Sequence, residues 1–136
     1  MSSTCCDEPR RELEIPAELE RLRETREWAN EIAVERGLSE DECFQVKLAM
    51  SEAVTNAIIH GSAGETDVVR IAACLRADEL VFEVTDPGHP GTGDPVRRLD
   101  EGGRGLELVA MVMDEVELVR RESGGSLRFT KRLAAA

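Results

Sequence analysis

Residues 12–15 alternate charged and apolar side chains, Glu12-Leu13-Glu14-Ile15, which predicts a short half-buried strand ended by Pro16. Over 17–36 the apolar residues Leu19, Leu22, Trp28, Ala29 and Ile32 fall mostly three or four apart. That spacing predicts an amphipathic helix with a charged outer face, stopped by Gly37. Ser39 and Glu42 form a capping box that opens a second helix, from Glu40 to about His60. Phe44, Val46, Leu48, Met50, Val54, Ile58 and Ile59 cover most of its circumference, so the whole helix is expected inside a core. Two β-rich runs follow, Val68–Leu75 and 80–86, joined by Ala77-Asp78-Glu79 as an antiparallel hairpin.

Residues 87–105 break the pattern. Pro87, Pro90 and Pro95 with six glycines predict a long mobile loop, and loops of that length inside a compact domain are usually functional. A short apolar helix is expected from 106 to about 113. Two last strands, Glu115–Arg121 and 126–133, are joined by a turn at Gly124-Gly125. The order strand, helix, helix, hairpin, loop, helix, hairpin predicts an α/β (α+β) two-layer sandwich, helices covering one face of a mainly antiparallel, mixed sheet. Residues 1–11 read as a disordered leader ahead of a single domain over 12–136.

Composition narrows the function. A chain of 136 residues fits one domain, and with aromatics at 3% its core must be built from Val, Leu, Ile, Ala and Met. A net charge of −11 argues against nucleic acid and anionic membranes as partners; it suits solubility or a basic partner protein. The four cysteines, Cys5, Cys6, Cys43 and Cys74, show no zinc-ligand spacing. Cys43 and Cys74 sit in apolar contexts and read as buried thiols, which points to a reducing compartment. With no signal peptide and no membrane-spanning run, a cytoplasmic protein is expected.

Three features could carry chemistry. Glu52 and Asn56 lie four apart in the most apolar helix, with His60 on the same stripe. A buried carboxylate costs several kcal/mol without compensation, so this stripe either faces solvent or lines a site, with Glu52 as general base and Asn56 as an oxygen ligand to Mg²⁺. Asp86 ends an apolar strand and runs into Pro87-Gly88; it either starts a turn or accepts a hydrogen bond from a planar amine such as an adenine amino group. Gly102-Gly103-Arg104-Gly105 precedes the helix at Leu106. It is either a flexible connection or a phosphate cradle, glycine backbone and helix N-terminus together offering N–H groups and Arg104 a planar fork. The P-loop signature and the motifs of eukaryotic-type kinases are absent.

Taken in order, Glu-x-x-x-Asn on a helix, strand-Asp-x-Gly, a long loop, then Gly-x-Gly before a helix resembles the Bergerat-fold (GHKL) ATPases, from about residue 13 to 133. Within them, Ser51-Glu52-Ala53-Val54-Thr55-Asn56-Ala57-Ile58-Ile59-His60-Gly61 and Gly102-Gly103-Arg104-Gly105-Leu106 resemble the bacterial anti-sigma factor serine/threonine kinases of the RsbW and SpoIIAB type. The resemblance implies Glu52 as catalytic base and Asn56 as Mg²⁺ ligand. It implies Asp86 on the adenine amino group, with Gly88 letting the base approach. Gly103, Arg104, Gly105 and Leu106 would hold the ATP phosphates at the end of a lid over about 87–105, with Arg104 also stabilising the transferring group. Ser126 would support Asp86 from the neighbouring strand, and His60 would line the base of the lid. The family's second lid glycine is replaced here by Pro90, which removes a backbone donor; Gly91 stands one position later.

The expected activity is therefore Mg²⁺-dependent phosphoryl transfer from ATP to a serine or threonine of a STAS-domain antagonist. The expected second partner is a sigma factor, and the expected assembly a homodimer. The alternatives are a non-catalytic interaction module of the same fold, a histidine-kinase catalytic domain, which lacks its helix pair here, and a stand-alone ATPase.

Overall fold

The computed structural model describes residues 10–61, 67–87, 103–121 and 124–133. Strand β1 (Arg10–Pro16) is followed by a 3-10 turn (Leu19–Arg21), α1 (Leu22–Glu35) and α2 (Glu40–Gly61). Then come β2 (Val68–Leu75), β3 (Glu79–Asp86), α3 (Gly103–Val112), β4 (Glu115–Arg121) and β5 (Gly124–Arg132). The sheet order is β1-β2-β3-β5-β4. Helices cover one face, so the two-layer sandwich expected from the pattern is present.

The sheet differs from the mixed one expected: all its described pairings are antiparallel. The helical hairpin α1–α2 accounts for this at the first crossover. It carries the chain out and back, so the chain re-enters the sheet at the end it left, with Val68 opposite Pro16. The β3–β5 pairing brings Asp86 opposite Gly125.

Local signals decide most element ends. Ser39 and Glu42 close the capping box reciprocally, Glu42 N–H donating to Ser39 Oγ at 3.1 Å and Ser39 N–H to Glu42 Oε1 at 2.9 Å. Gly37 takes φ +86°, and Leu38 N–H reaches back to the Ala33 carbonyl at 3.1 Å, the bond that closes a left-handed helix end. Four boundaries depart from expectation. The leader gives way to strand already at Arg10. Helix α1 starts at Leu22 rather than 17, because the N–H of buried Ala17 is tied to the Asp67 carbonyl at 2.9 Å. Helix α3 starts at Gly103, not 106. Gly124-Gly125 is the beginning of β5 rather than a free turn.

The core lies between α1, α2 and the inner face of the sheet. Phe82 stacks on Phe129 with centroids 5.5 Å apart, and Trp28 meets Phe82 edge-on at 6.3 Å. Helix α2 does not bury its whole circumference. Val46, Ala49, Met50, Ala53, Val54 and Ala57 face the sheet, while Phe44 and Ile59 are 63% and 53% exposed. The alanines set that face, since small side chains let the helix lie close to the strands. The two cysteines expected as buried thiols differ. Cys43 is a free thiol, held above its usual pKa chiefly by burial. Cys74 is buried but disulfide-bonded, so it no longer supports a reducing compartment. No helix among the described residues is long and apolar enough to cross a membrane.

Candidate functional site

Asp86 is one of few buried charged residues among those described, at 5% exposure. It closes β3 on the face that carries Phe82 and Val84, and its Oδ1 accepts the Gly125 N–H at 3.1 Å. The chain approaches it closely: a Cβ on Gly124 (φ +132°) would stand 2.2 Å from the Asp86 carbonyl oxygen. Only glycine fits there. The carboxylate is therefore held at a strand end by a backbone donor from the neighbouring strand.

Two helices converge on the same end of the molecule. Helix α2 ends at Gly61; Gln45, in its second turn, touches Lys131, which pairs with Leu80 at the far end of β3 from Asp86, so α2 runs from that end of the sheet towards the Asp86 end. Gln45, Glu52 and Asn56, spaced seven and four apart, share one flank of α2. Lys131 identifies what that flank faces. Its Nζ donates to Gln45 Oε1 at 2.5 Å and to the Val112 carbonyl at 2.9 Å, so the C-terminal end of α3 sits against Gln45. Lys131 pairs with Leu80, near the start of β3 and away from Asp86. Helix α3 packs along α2, and its first turn points back towards the Asp86 end. Glu52 and Asn56, both half-buried, line the flank of α2 between those ends.

The start of α3 at Gly103 changes how the glycine run works. The first four N–H groups of a helix have no intrahelical partner, and here they belong to Gly103, Arg104, Gly105 and Leu106. The residues expected to hold phosphate are thus the first helical turn itself, with backbone donors and the positive dipole end aimed one way. The side chains of His60, Arg104 and Leu106 lie outside the described residues, as do Gly88, Pro90, Gly91 and the lid over 88–102.

Ser126 stands elsewhere than expected. It pairs with Thr85 and projects from the helix-free face, where its hydroxyl donates to Glu83 Oε2 at 2.8 Å. The support given to Asp86 comes from Gly125 N–H instead, one residue earlier on the other face. The glycine pair was visible in the sequence; the register that aims it was not. Two clefts of about 410 and 330 Å³ also open on the helix-free face between charged side chains. Although the second reaches Thr85, both lie across the sheet from the Asp86 carboxylate, which is on the helix-covered face. Among the described residues no group of three or more His, Cys, Asp or Glu gathers as a metal cluster. Asn56 with Glu52 is an oxygen donor set of the sparse kind Mg²⁺ accepts, since that ion draws most of its ligands from water and phosphates.

A family model described as the histidine kinase-like ATPase domain matches residues 15–131. The chain belongs to that family. Serine-protein kinase RsbW of Bacillus pumilus (strain SAFR-032) is 34% identical over 138 residues, covering 90% of this chain and 85% of its own. RsbW of Bacillus licheniformis is 35% identical over 136 residues, 90% and 84% of the two chains. An anti-sigma F factor of Halalkalibacterium halodurans is 38% identical over 105 residues, 68% and 70%. The solved RsbU and RsbW domains of Rv1364c from Mycobacterium tuberculosis superpose with a TM-score of 0.72 at 23% identity, over 94% of this chain and 33% of that one; this likeness speaks for the fold. The protein is thus a GHKL kinase of the RsbW/SpoIIAB type, with serine/threonine kinase activity and ATP as the nucleotide it uses.

Proposed function

We propose that the protein phosphorylates a hydroxyl of a STAS-type anti-sigma factor antagonist, using ATP and Mg²⁺, and that it sequesters a sigma factor in the cytoplasm as a homodimer. The observation that carries the site is the buried Asp86 carboxylate, pinned by Gly125 N–H at the end where α2 and the first turn of α3 converge. The relatives' names, serine-protein kinase and anti-sigma F factor, support the choice of substrate and partner.

Each residue has a role its position suits. Asp86 accepts the adenine amino group, and Gly125 keeps its carboxylate aimed. The N–H groups of Gly103, Arg104, Gly105 and Leu106 bind phosphate oxygens, and the Arg104 guanidinium stabilises charge on the transferring group. Asn56 offers its amide oxygen to Mg²⁺, which when bound neutralises charge on the phosphates. Glu52, one turn earlier on α2, accepts the proton of the incoming hydroxyl.

Calorimetry with ATP, with and without Mg²⁺, on the wild type and Asn56→Ala tests the pocket. Micromolar, Mg²⁺-dependent binding that Asn56→Ala loses is expected. A transfer assay with Glu52→Ala then separates binding from chemistry: this variant should keep ATP and lose transfer by at least about 10²-fold. No binding by the wild type would leave an ATP-independent interaction module, the reading to which Pro90 lends its one point of support.

A further inference from the structure

Glu83 lies within β3 on the face of the sheet that no described helix covers, yet its side chain is only 14% exposed. A carboxylate held that far out of water needs partners, and it finds them on β5. Its Oε2 accepts the Ser126 hydroxyl at 2.8 Å and stands 3.6 Å from Arg128 Nη2. Arg128 in turn reaches Glu117 Oε1 on β4 at 3.5 Å. The bond to Ser126 runs diagonally across the strand pair, because Glu83 stands opposite Arg128 and Ser126 opposite Thr85. Diagonal neighbours lie about 7–8 Å apart, within reach of a long side chain such as glutamate.

This fastening secures the start of β5. Gly124 and Gly125 have no side chain by which the strand could be held, and Gly124 takes φ +132°, a conformation that glycine enters and leaves freely. Ser126 is thus the first side chain of β5 that can anchor the strand to β3. The residue just before it, Gly125, donates its N–H to Asp86 Oδ1 at 3.1 Å. A slip of β5 by one residue would exchange its two faces. It would take the Gly125 N–H from Asp86 and the Ser126 hydroxyl from Glu83 together, so both bonds belong to one register.

We propose that Glu83 is a positioning residue for recognition of the base: through Ser126 it fixes the start of β5, and so keeps the Gly125 N–H aimed at the Asp86 carboxylate. This role rests on the reading of Asp86 as acceptor of the adenine amino group. Glu83 itself touches no nucleotide, since it lies across the sheet from that carboxylate, and it acts through one side-chain bond and one peptide unit. Its charge matters, because a hydrogen bond to an ionised acceptor is roughly twice as strong as a neutral one. A β-branched residue, the commoner occupant of a strand, would offer the Ser126 hydroxyl no such acceptor.

The test compares ATP with ITP, whose base carries an oxygen where adenine carries the amino group, by competition binding with Mg²⁺ on the full chain. In Glu83→Ala, ATP affinity should fall roughly three- to tenfold, while ITP affinity stays within about twofold, so the preference for ATP shrinks. Ser126→Ala should do the same, and Glu83→Ala/Ser126→Ala should lose no more than either single variant. Glu83→Gln keeps an oxygen acceptor for the hydroxyl and should restore most of the preference. Glu117→Ala, which removes the other partner of Arg128, should leave both affinities unchanged. The amide resonance of Gly125 gives a readout without nucleotide: it should shift in Glu83→Ala and Ser126→Ala and stay in place in Glu117→Ala. Asp86→Asn separates this role from the reading beneath it. If Asp86→Asn keeps the wild-type preference for ATP, Asp86 does not read the amino group and the role of Glu83 falls with it. If Asp86→Asn abolishes the preference while Glu83→Ala and Ser126→Ala retain it, Asp86 keeps its role and that of Glu83 is overturned. Equal losses of ATP and ITP affinity in Glu83→Ala would overturn it too, since a general loosening of the sheet does not distinguish the two bases.

Discussion

Among the described residues, the backbone comes closest to a glycine's missing Cβ where Gly124 passes Asp86. A methyl group there would collide with the Asp86 carbonyl oxygen, and φ +132° is strained for any residue bearing a Cβ. Gly124→Ala must therefore shift the start of β5, and with it the Gly125 N–H that holds the Asp86 carboxylate. The expected cost is about 2–3 kcal/mol of stability. A loss of ATP affinity of about tenfold or more should accompany it, because a carboxylate freed from its donor no longer presents a fixed acceptor. Gly37 supplies the control. Its φ is also positive, but nothing stands within 4 Å of a Cβ there, so Gly37→Ala should cost about 1 kcal/mol from backbone strain alone. It should leave ATP binding unchanged. Chemical denaturation and calorimetry on the two variants separate a general glycine effect from one that belongs to the site.

At the scale of elements, the placement of α3 hangs on Lys131, whose ammonium joins Gln45 of α2 to the carbonyl of Val112, the last residue of α3. A cation at a helix C-terminus is favourable, and here it also links two helices. Lys131→Met keeps the stem and removes the donors. It should cost about 1–3 kcal/mol, lower the hydrogen-exchange protection of α3, and weaken ATP binding although residue 131 stands at the far end of the sheet. Unchanged protection of α3 would count against this link. The same elements show which features could be read in advance. The amphipathic period of α1 and the Ser39–Glu42 box are local signals, and the structure contains both. The inward face of α2 could not be found from its apolar residues, because a helix with a sheet beneath and helices on both flanks has no single apolar stripe. Phe44 and Ile59 are large and apolar yet look outward. Of the site, Glu52, Asn56 and Asp86 stood out as polar residues in apolar surroundings. The roles of Ser126 and Gly125 depend on strand register, and a shift of one residue exchanges the two faces of a strand.

For the molecule as a whole, charge governs the pH response. With a net charge of −11 at pH 7 and a pI near 4.7, lowering the pH from neutral towards 5 relieves self-repulsion of the folded state, so stability should rise slightly over that range. Below it, native ion pairs reverse the trend. The Arg11 guanidinium on β1 hydrogen-bonds Glu35 at the end of α1 and holds that carboxyl below its usual value of 4.5. A carboxylate whose pKa is depressed on folding contributes stability that is fully present above its unfolded pKa and is lost as pH falls through the folded one. The Glu35 contribution should therefore be constant above about pH 4.5 and disappear progressively below it. Arg11→Met removes the partner. Both side chains are well exposed, so the difference between variant and wild type should be small at pH 7 and shrink further in salt. That difference should vanish once Glu35 is protonated in both proteins. Urea midpoints of the two proteins measured from pH 7 to pH 2.5 decide the matter: curves that converge only below pH 4.5 match the pair, and curves that stay parallel to the lowest pH would mean that Arg11 acts through something other than the Glu35 charge.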